Sequence, residues 1–531
     1  MHPLVVGGTR HDPARARRPH HRPAPGLGGA GAPRDRQPPR PPVLPATRGG
    51  HDPPVARTPR LPSCLQPSRQ RTVNRTPSAI LSPLALLTLL PSLAAQGATP
   101  PRPEPWRLDA AIGTPRWLHV SGIQRTRFES INGQPRPNQP ETDDQWFTRT
   151  SLRADVDFHP VSGTLEMMDS RAFGGKDTSF ASTAFSNVTD FIQAHAKYDL
   201  GTAFAGKHRL LVGRYTMSLG SRRFVIRNVY RNTVNNFTGV DYLWTGEDGS
   251  TTRAFWTMPV NRRPTDTSAL RDNRFEWDDQ DQDLTFSGLF HSRPLGGGAT
   301  LETYVYSKHQ GAANKPYVDI FMPGMRIVRK ERRGSFSGQA EFAYQFGKSQ
   351  LRADGMNLDH AAYFAHASIG YTFDYECAAT IRLAWDYATG DHDPNDGNNN
   401  RFDRLYGAPR FEYAPTGIYG LVQRSNFNTP ELRLTFKPSP RSWVRLAYRN
   451  LRLASSRDQW IANGIVDTTG SSGKDVGNQF ELRARYDFIP QNMYVECGGA
   501  YLAAGDFLDR APNSRGGRDV RYAFVEMVWT F

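Results

Sequence analysis

What most constrains this chain is a period-two alternation of apolar and charged residues that recurs along much of its length. In "NQFELRARYDF", Phe480, Leu482, Ala484 and Tyr486 fall on one face, with Glu481, Arg483, Arg485 and Asp487 on the other. "ELRLTFK" sets Leu432, Leu434 and Phe436 against Glu431, Arg433, Thr435 and Lys437, and "TIRLAWDYA" sets Ile381, Leu383, Trp385 and Tyr387 against Arg382 and Asp386. Successive side chains of a strand point to opposite faces, so each segment reads as a strand with one apolar and one polar surface. At 531 residues the chain has room for several ordinary domains or for one large closed sheet.

The connections discriminate between these. Eighteen strands are expected, at about 115–130, 144–158, 163–171, 187–199, 207–218, 237–246, 251–260, 283–292, 299–308, 325–331, 335–347, 361–373, 375–389, 428–438, 441–453, 476–488, 491–503 and 521–531. Joins such as "HPVSG", "GEDGS", "PLGGG", "RRGS", "SPR" and "PQN" are tight, and those between them are mostly long. Short turns at one end and long loops at the other mark an outer-membrane barrel whose short end is periplasmic. Closure also removes the unpaired edges that hydrocarbon does not tolerate. The expected fold is therefore all-β, a single transmembrane antiparallel up-and-down β-barrel of about 18 strands over residues 115–531, in contact with outer-membrane lipid and monomeric. In the last strand Ala523, Val525, Met527, Trp529 and Phe531 form one apolar stripe that ends at the carboxyl terminus, the kind of signal that barrel-assembly machinery reads. Trp146, Trp385, Trp443 and Trp529, near strand ends, suit an aromatic girdle.

The net charge of +15 does not indicate nucleic acid. Of 66 basic residues, 14 lie in residues 1–96, where only 3 of the 51 acids are found, so most of the excess sits in one segment. Residues 1–72 are rich in Pro, Arg, Gly and His and cannot bury enough apolar surface to offset the entropy of ordering. Residues 73–96 then have the layout of a secretory signal peptide: Arg75, an apolar run from Ala79 to Leu90, and small residues from Ser92 to Ala95. Such a signal belongs at the start of a protein, so translation is expected to begin near Val73, with 1–72 a misassigned start; precursor peptides from residues 1–70 would refute this. Residues 97–114 are expected to be a short periplasmic segment. Of the remaining cysteines, Cys377 and Cys497 are compatible with a bridge or with two free thiols.

Several stretches together resemble the alginate export family of outer-membrane porins: "LLVGRYTMSLGSRRF" followed by "NNFTGVDYLW", "EFAYQFGK", "AWDYATGDHDPNDGNNNRFDRLYG", "TPELRLTFKPSPRSWVRLAYRNLRL" and "VGNQFELRARYDF". The resemblance implies an 18-stranded channel whose lumen conducts an anionic polysaccharide or oligosaccharide past arginines at a constriction. Guanidinium groups stay charged and bind carboxylates in a fork, which suits a uronate path. On inward phase and context, Arg125, Arg127, Arg153, Arg214, Arg433, Arg483 and Arg485 are the candidate path residues. Inward acids such as Glu129, Asp155, Glu166, Glu341, Asp386, Glu431, Glu481 and Glu526 are nearly as numerous. Many of these arginines are therefore expected to pair with acids and brace the wall. The alternatives are a general or nutrient-uptake porin of the same fold, and a barrel surface protein or enzyme without channel activity.

Enzymatic motifs are lacking. "FGKS" (346–349) has the end of a phosphate loop, but Phe342 stands where a glycine is needed, and there is no HExxH, GxSxG or CxxC pair. His195 reads as a polar lumen residue. The acidic run from Asp391 places Asp391, Asp393 and Asn395 like the first ligands of a calcium loop, then fails at Asp396 and Phe402. A looser calcium site on Asp391, Asp393 and Asp396 stands beside a solvated loop stiffened by its own aspartate turns. The connection 390–427 is expected to face outside the cell, and no other cofactor is indicated.

Overall fold

In a computed structural model, the residues described are 104–531 apart from 352–354, 411, 414 and 416. The basic segment 1–72 and the expected signal peptide 73–96 lie outside them. Eighteen long strands run in chain order: β1 (Leu118–Asn132), β2 (Thr142–Phe158), β3 (Val161–Phe173), β4 (Asn187–Ala203), β5 (Gly206–Tyr215) and β6 (Phe237–Gly246). They continue as β7 (Thr251–Asn261), β8 (Leu284–Pro294), β9 (Ala299–Gln310), β10 (Val318–Arg329), β11 (Ser335–Ser349) and β12 (Leu358–Thr372). The last six are β13 (Thr380–Ala388), β14 (Phe427–Ser439), β15 (Ser442–Arg452), β16 (Asp475–Ile489), β17 (Met493–Ala504) and β18 (Val520–Thr530). Each pairs antiparallel with its neighbours in sequence, and β18 pairs with β1 from Ile123 opposite Thr530 to Asn132 opposite Arg521, closing the barrel.

All eighteen expected strands are present, with two instructive shifts. β10 begins at Val318 rather than near 325. Pro323 and Gly324 look like a break, yet the alternation runs through them: Ile320 and Met322 are buried and Phe321 is exposed. Pro323 lacks an N–H, and the β10–β11 ladder skips from Phe321 to Gly324 without losing register. β13 begins at Thr380 rather than 375, because the Phe373 amide bonds to the Ala379 carbonyl across a turn.

The outer face carries exposed apolar residues such as Leu152, Leu165, Val212, Trp256, Leu289, Phe342 and Leu432, the surface that hydrocarbon requires. Trp146, Trp385 and Trp529 are exposed on this face, as expected of girdle residues. At the short-turn end the Trp106 amide donates to Asn492 Oδ1 at 2.8 Å, and Asn492 Nδ2 donates to the carbonyls of Trp106 and Thr530. The segment before β1 is thus tied to the closing strand. Both Cys377 and Cys497 are free.

The interior differs from the expectation of loops that face outward. The core cluster joins inward wall residues such as Phe147, Phe237, Phe364 and Leu502 to Phe224 and Val225 of the β5–β6 connection and to Phe402, Tyr413, Ile418, Tyr419 and Leu421 of the β13–β14 connection. Two of the long connections therefore fold back into the barrel and fill it.

Candidate functional site: the filled lumen and its basic chamber

The β13–β14 connection (389–426) binds inward residues on strands spread around the barrel. The Ile418 amide donates to Glu129 on β1 and the Tyr413 hydroxyl to Asp386 on β13, at 2.8 and 3.1 Å. Gln345 on β11 donates to the Asp403 carbonyl, and Gln479 on β16 to the Tyr413 carbonyl and from Oε1 accepts the Tyr419 hydroxyl. Only a segment inside the lumen can reach all of these. Glu412 is its charged centre: Arg223 and Arg424 pair with its carboxylate, and Arg433 and Arg449 donate to its carbonyl. Arg223 also pairs with Glu341 on β11, at 2.5 Å. A buried carboxylate needs such partners, because an unpaired charge there is far costlier than a paired one.

The β5–β6 connection (216–236) is held from the wall. Arg125 donates to the Val229 carbonyl at 3.0 Å, the Arg231 carbonyl at 2.8 Å and Asn232 Oδ1 at 2.9 Å. Arg149 donates to the same two carbonyls, and Arg127 to that of Tyr230. Asn232 in turn donates to the carbonyls of Thr148, Arg171 and Phe185, so its buried amide is fully used. The two inserted segments meet where the Tyr406 amide donates to the Phe224 carbonyl at 2.9 Å.

Most of the candidate path arginines pair with acids: Arg214 and Arg483 across to a neighbouring strand, and Arg127, Arg153, Arg433 and Arg485 with an acid two residues along their own strand. Arg127 pairs with Glu129 at 2.7 Å, Arg153 with Asp155 at 2.6 Å and Arg214 with Asp190 at 2.9 Å. Arg433 pairs with Glu431 at 2.6 Å, Arg483 with Glu496 at 2.7 Å and Arg485 with Asp487 at 2.8 Å. Arg125 donates to the neutral acceptors of the inserted loop. His195, half-buried, bonds to the Arg214 carbonyl, as a lumen-wall histidine would.

Below the inserted loops, toward the short-turn end, lies a cavity of about 460 Å³. Its lining includes ten arginines and four glutamates, with neither lysine nor aspartate among them. Four candidates, Arg125, Arg433, Arg483 and Arg485, face it, whereas Arg127, Arg153 and Arg214 are not part of its lining. Three like-charged pairs stand directly opposite one another on adjacent strands of this wall: Arg125 and Arg149, Arg382 and Arg433, Arg445 and Arg483. Sequence reasoning missed Arg222 and Arg223, which enter from the β5–β6 connection, because loops carry no period from which to read an inward face. It also misassigned Trp443. That residue shares the inward phase of Arg445 and Arg449, is half-buried, lines the chamber, and lies under Arg445 and Arg483. It is not a girdle residue.

The acidic run resolves into turns. Asp393 accepts from the Asn395 amide and Asp396 from the Asn398 amide, each two residues on. Asp391 is buried, accepts from the Asn400 amide, and burial pushes its carboxyl up. Among the described residues no three His, Cys, Asp or Glu side chains group as metal ligands. Arg401 pairs with Asp458 of the β15–β16 connection, whose Oδ2 accepts the Asp391 amide. The run is thus tied to a neighbouring loop at the outer mouth.

A closed, even-stranded antiparallel barrel with an apolar outer belt, short turns at one end and a polar, partly filled lumen has the architecture of a bacterial outer-membrane barrel. The chain belongs to the Alginate export family, whose model matches residues 116–522. A comparison with curated protein sequences gave no match. Among solved structures the chain is similar in fold to Pseudomonas aeruginosa OpdQ, at 13% identity and a TM-score of 0.50, covering 78% of this chain and 97% of that one. It is likewise similar to Pseudomonas aeruginosa OccK8 (OprE), at 11% identity and a TM-score of 0.50, over 78% and 98%.

Proposed function

We propose that this channel passes an anionic polysaccharide or oligosaccharide, alginate-like in carrying a carboxylate on its sugars, and that the arginine chamber is where the chain is held in transit. The observation that carries this reading is the three directly opposed arginine pairs facing one cavity. Like charges opposite one another destabilise a sheet, and a wall built only for strength sets an acid across from each base, as Arg153 and Glu166 illustrate elsewhere in it. An anionic occupant relieves the repulsion. In a confined space the field of several guanidinium groups concentrates anions, and several weak sites let them leave again.

The test is reconstitution in planar bilayers. A potassium chloride gradient should give a reversal potential on the anion-selective side, and a short oligouronate added on the short-turn side should block current in a concentration-dependent way. Equal permeability of both ions with no block would make this a general porin of the same fold.

A further inference from the structure

We infer that the chamber recognises the sugar ring as well as its charge, through an aromatic platform formed by Trp443 on β15 and Tyr494 on β17. This rests on the proposed passage of an anionic saccharide and names the side chains that would distinguish a saccharide from other polyanions. Both residues line the cavity, and both are half-buried, so part of each ring is open to it. Between them stands Arg485 on β16, which is the cross-strand partner of Trp443 and whose guanidinium lies 3.5 Å from the centroid of the Tyr494 ring. Arg445 and Arg483 lie 5.6 and 5.3 Å from the centroid of Trp443.

The arrangement is a row of aromatic, guanidinium and aromatic groups across three neighbouring strands, spanning about 10 Å at the usual interstrand spacing. A uronate ring offers two complementary surfaces at once. Its axial C–H groups form an apolar face that stacks on an aromatic ring, and its carboxylate projects from the ring edge toward whatever lies beside that aromatic. Here Arg485 lies over the Tyr494 ring and Arg445 and Arg483 over the Trp443 ring, so a carboxylate bound to these guanidinium groups brings its sugar against the part of each aromatic left exposed. A lipid-facing tryptophan would occupy the opposite strand phase.

The experiment compares two polyanions on the reconstituted full-length barrel: a short oligouronate and poly-glutamate of similar charge. Trp443→Leu and Tyr494→Leu keep apolar bulk and remove the flat ring, and Trp443→Phe keeps a smaller ring. With either leucine variant the block by oligouronate should weaken about tenfold relative to the block by poly-glutamate, the scale of one aromatic contact. Trp443→Phe should retain most of the ratio. If Trp443 only braces Arg445 and Arg483, both blocks fall together and the ratio stays put, which overturns the inference while leaving anion passage standing. A wild-type channel that oligouronate does not block at all overturns both readings.

Discussion

Arg125 on β1 stands directly opposite Arg149 on β2, and both guanidinium groups donate to the same two loop carbonyls, those of Val229 and Arg231. A repulsive pair is thus also the clamp on the loop above the chamber. Arg149→Gln should remove one charge from the chamber and two charge-assisted bonds from the loop. The expected outcome is a smaller anion-to-cation permeability ratio together with faster amide hydrogen exchange over residues 227–233. A lower ratio with no change in exchange would mean that Arg125 alone secures the loop.

Glu412 neutralises the arginines that surround it from two loops. Glu412→Gln leaves Arg223 and Arg424 without their shared carboxylate partner. Breaking one side of a buried ion pair costs about 3–5 kcal/mol. The inserted segment 402–424 should exchange its amide hydrogens faster, and the barrel should lose its compact gel mobility at a lower temperature. Anion selectivity should rise, because the lumen loses a negative charge.

The contact between the two inserted loops leaves no space at Gly407, where a Cβ would lie 1.6 Å from the Arg223 carbonyl oxygen. Gly407→Ala should therefore push the segments apart while the wall, held by its ladders, keeps its form. Single-channel recordings should show a larger unitary conductance than wild type. An unchanged conductance would place the narrowest point elsewhere.

Asp278 lies in the connection between β7 and β8, with its carboxylate accepting from Asn187 Nδ2 and from the Arg263 amide. Burial, aided by the nearby Asp190, raises its carboxyl to about 6. A carboxyl whose folded value lies above its ordinary one binds protons more tightly in the folded loop than in the released one. The ionised form therefore weakens the docked loop above pH 6, by up to ~3 kcal/mol, and the penalty fades as pH falls from 6 toward 4. Measured against an unstructured peptide carrying the same bonds, cleavage after Arg271 and Arg274 should be relatively slower at pH 5 than at pH 7.5, and Asp278→Asn should abolish that difference.

The wall was legible from sequence because strand pairing turns a simple period into three-dimensional position. Once Glu481, Arg483 and Arg485 share a face, their direction follows from which face hydrocarbon can tolerate. The same rule pointed to Trp443, the second residue of its strand and in phase with Arg445, but position near a strand end outweighed phase in the reading. The filling was not legible. Nothing local in "GAPRFEYAPTGIYGLV" states that Tyr413 and Tyr419 will lie against Asp386 and Gln479, because those contacts join residues 27 and 60 positions apart. Arg223 and Arg424 are ordinary loop arginines in the sequence and are buried only inside the barrel. The acidic run kept two readings open in the sequence: one oxygen each of Asp391, Asp393 and Asp396 accepts a backbone amide of the same loop, an arrangement that composition alone does not separate from a ligand set.

The loops that occupy the bore carry a consequence for how such a molecule comes to exist and to vary. The register of the cylinder is fixed by its ladders, and the connections sit inside it like a cork. Wall and cork are written in separate stretches of the chain. Exchange of residues 216–236 or 389–426 would leave the ladders between the eighteen staves in place, so one durable vessel can be refitted to pour different contents.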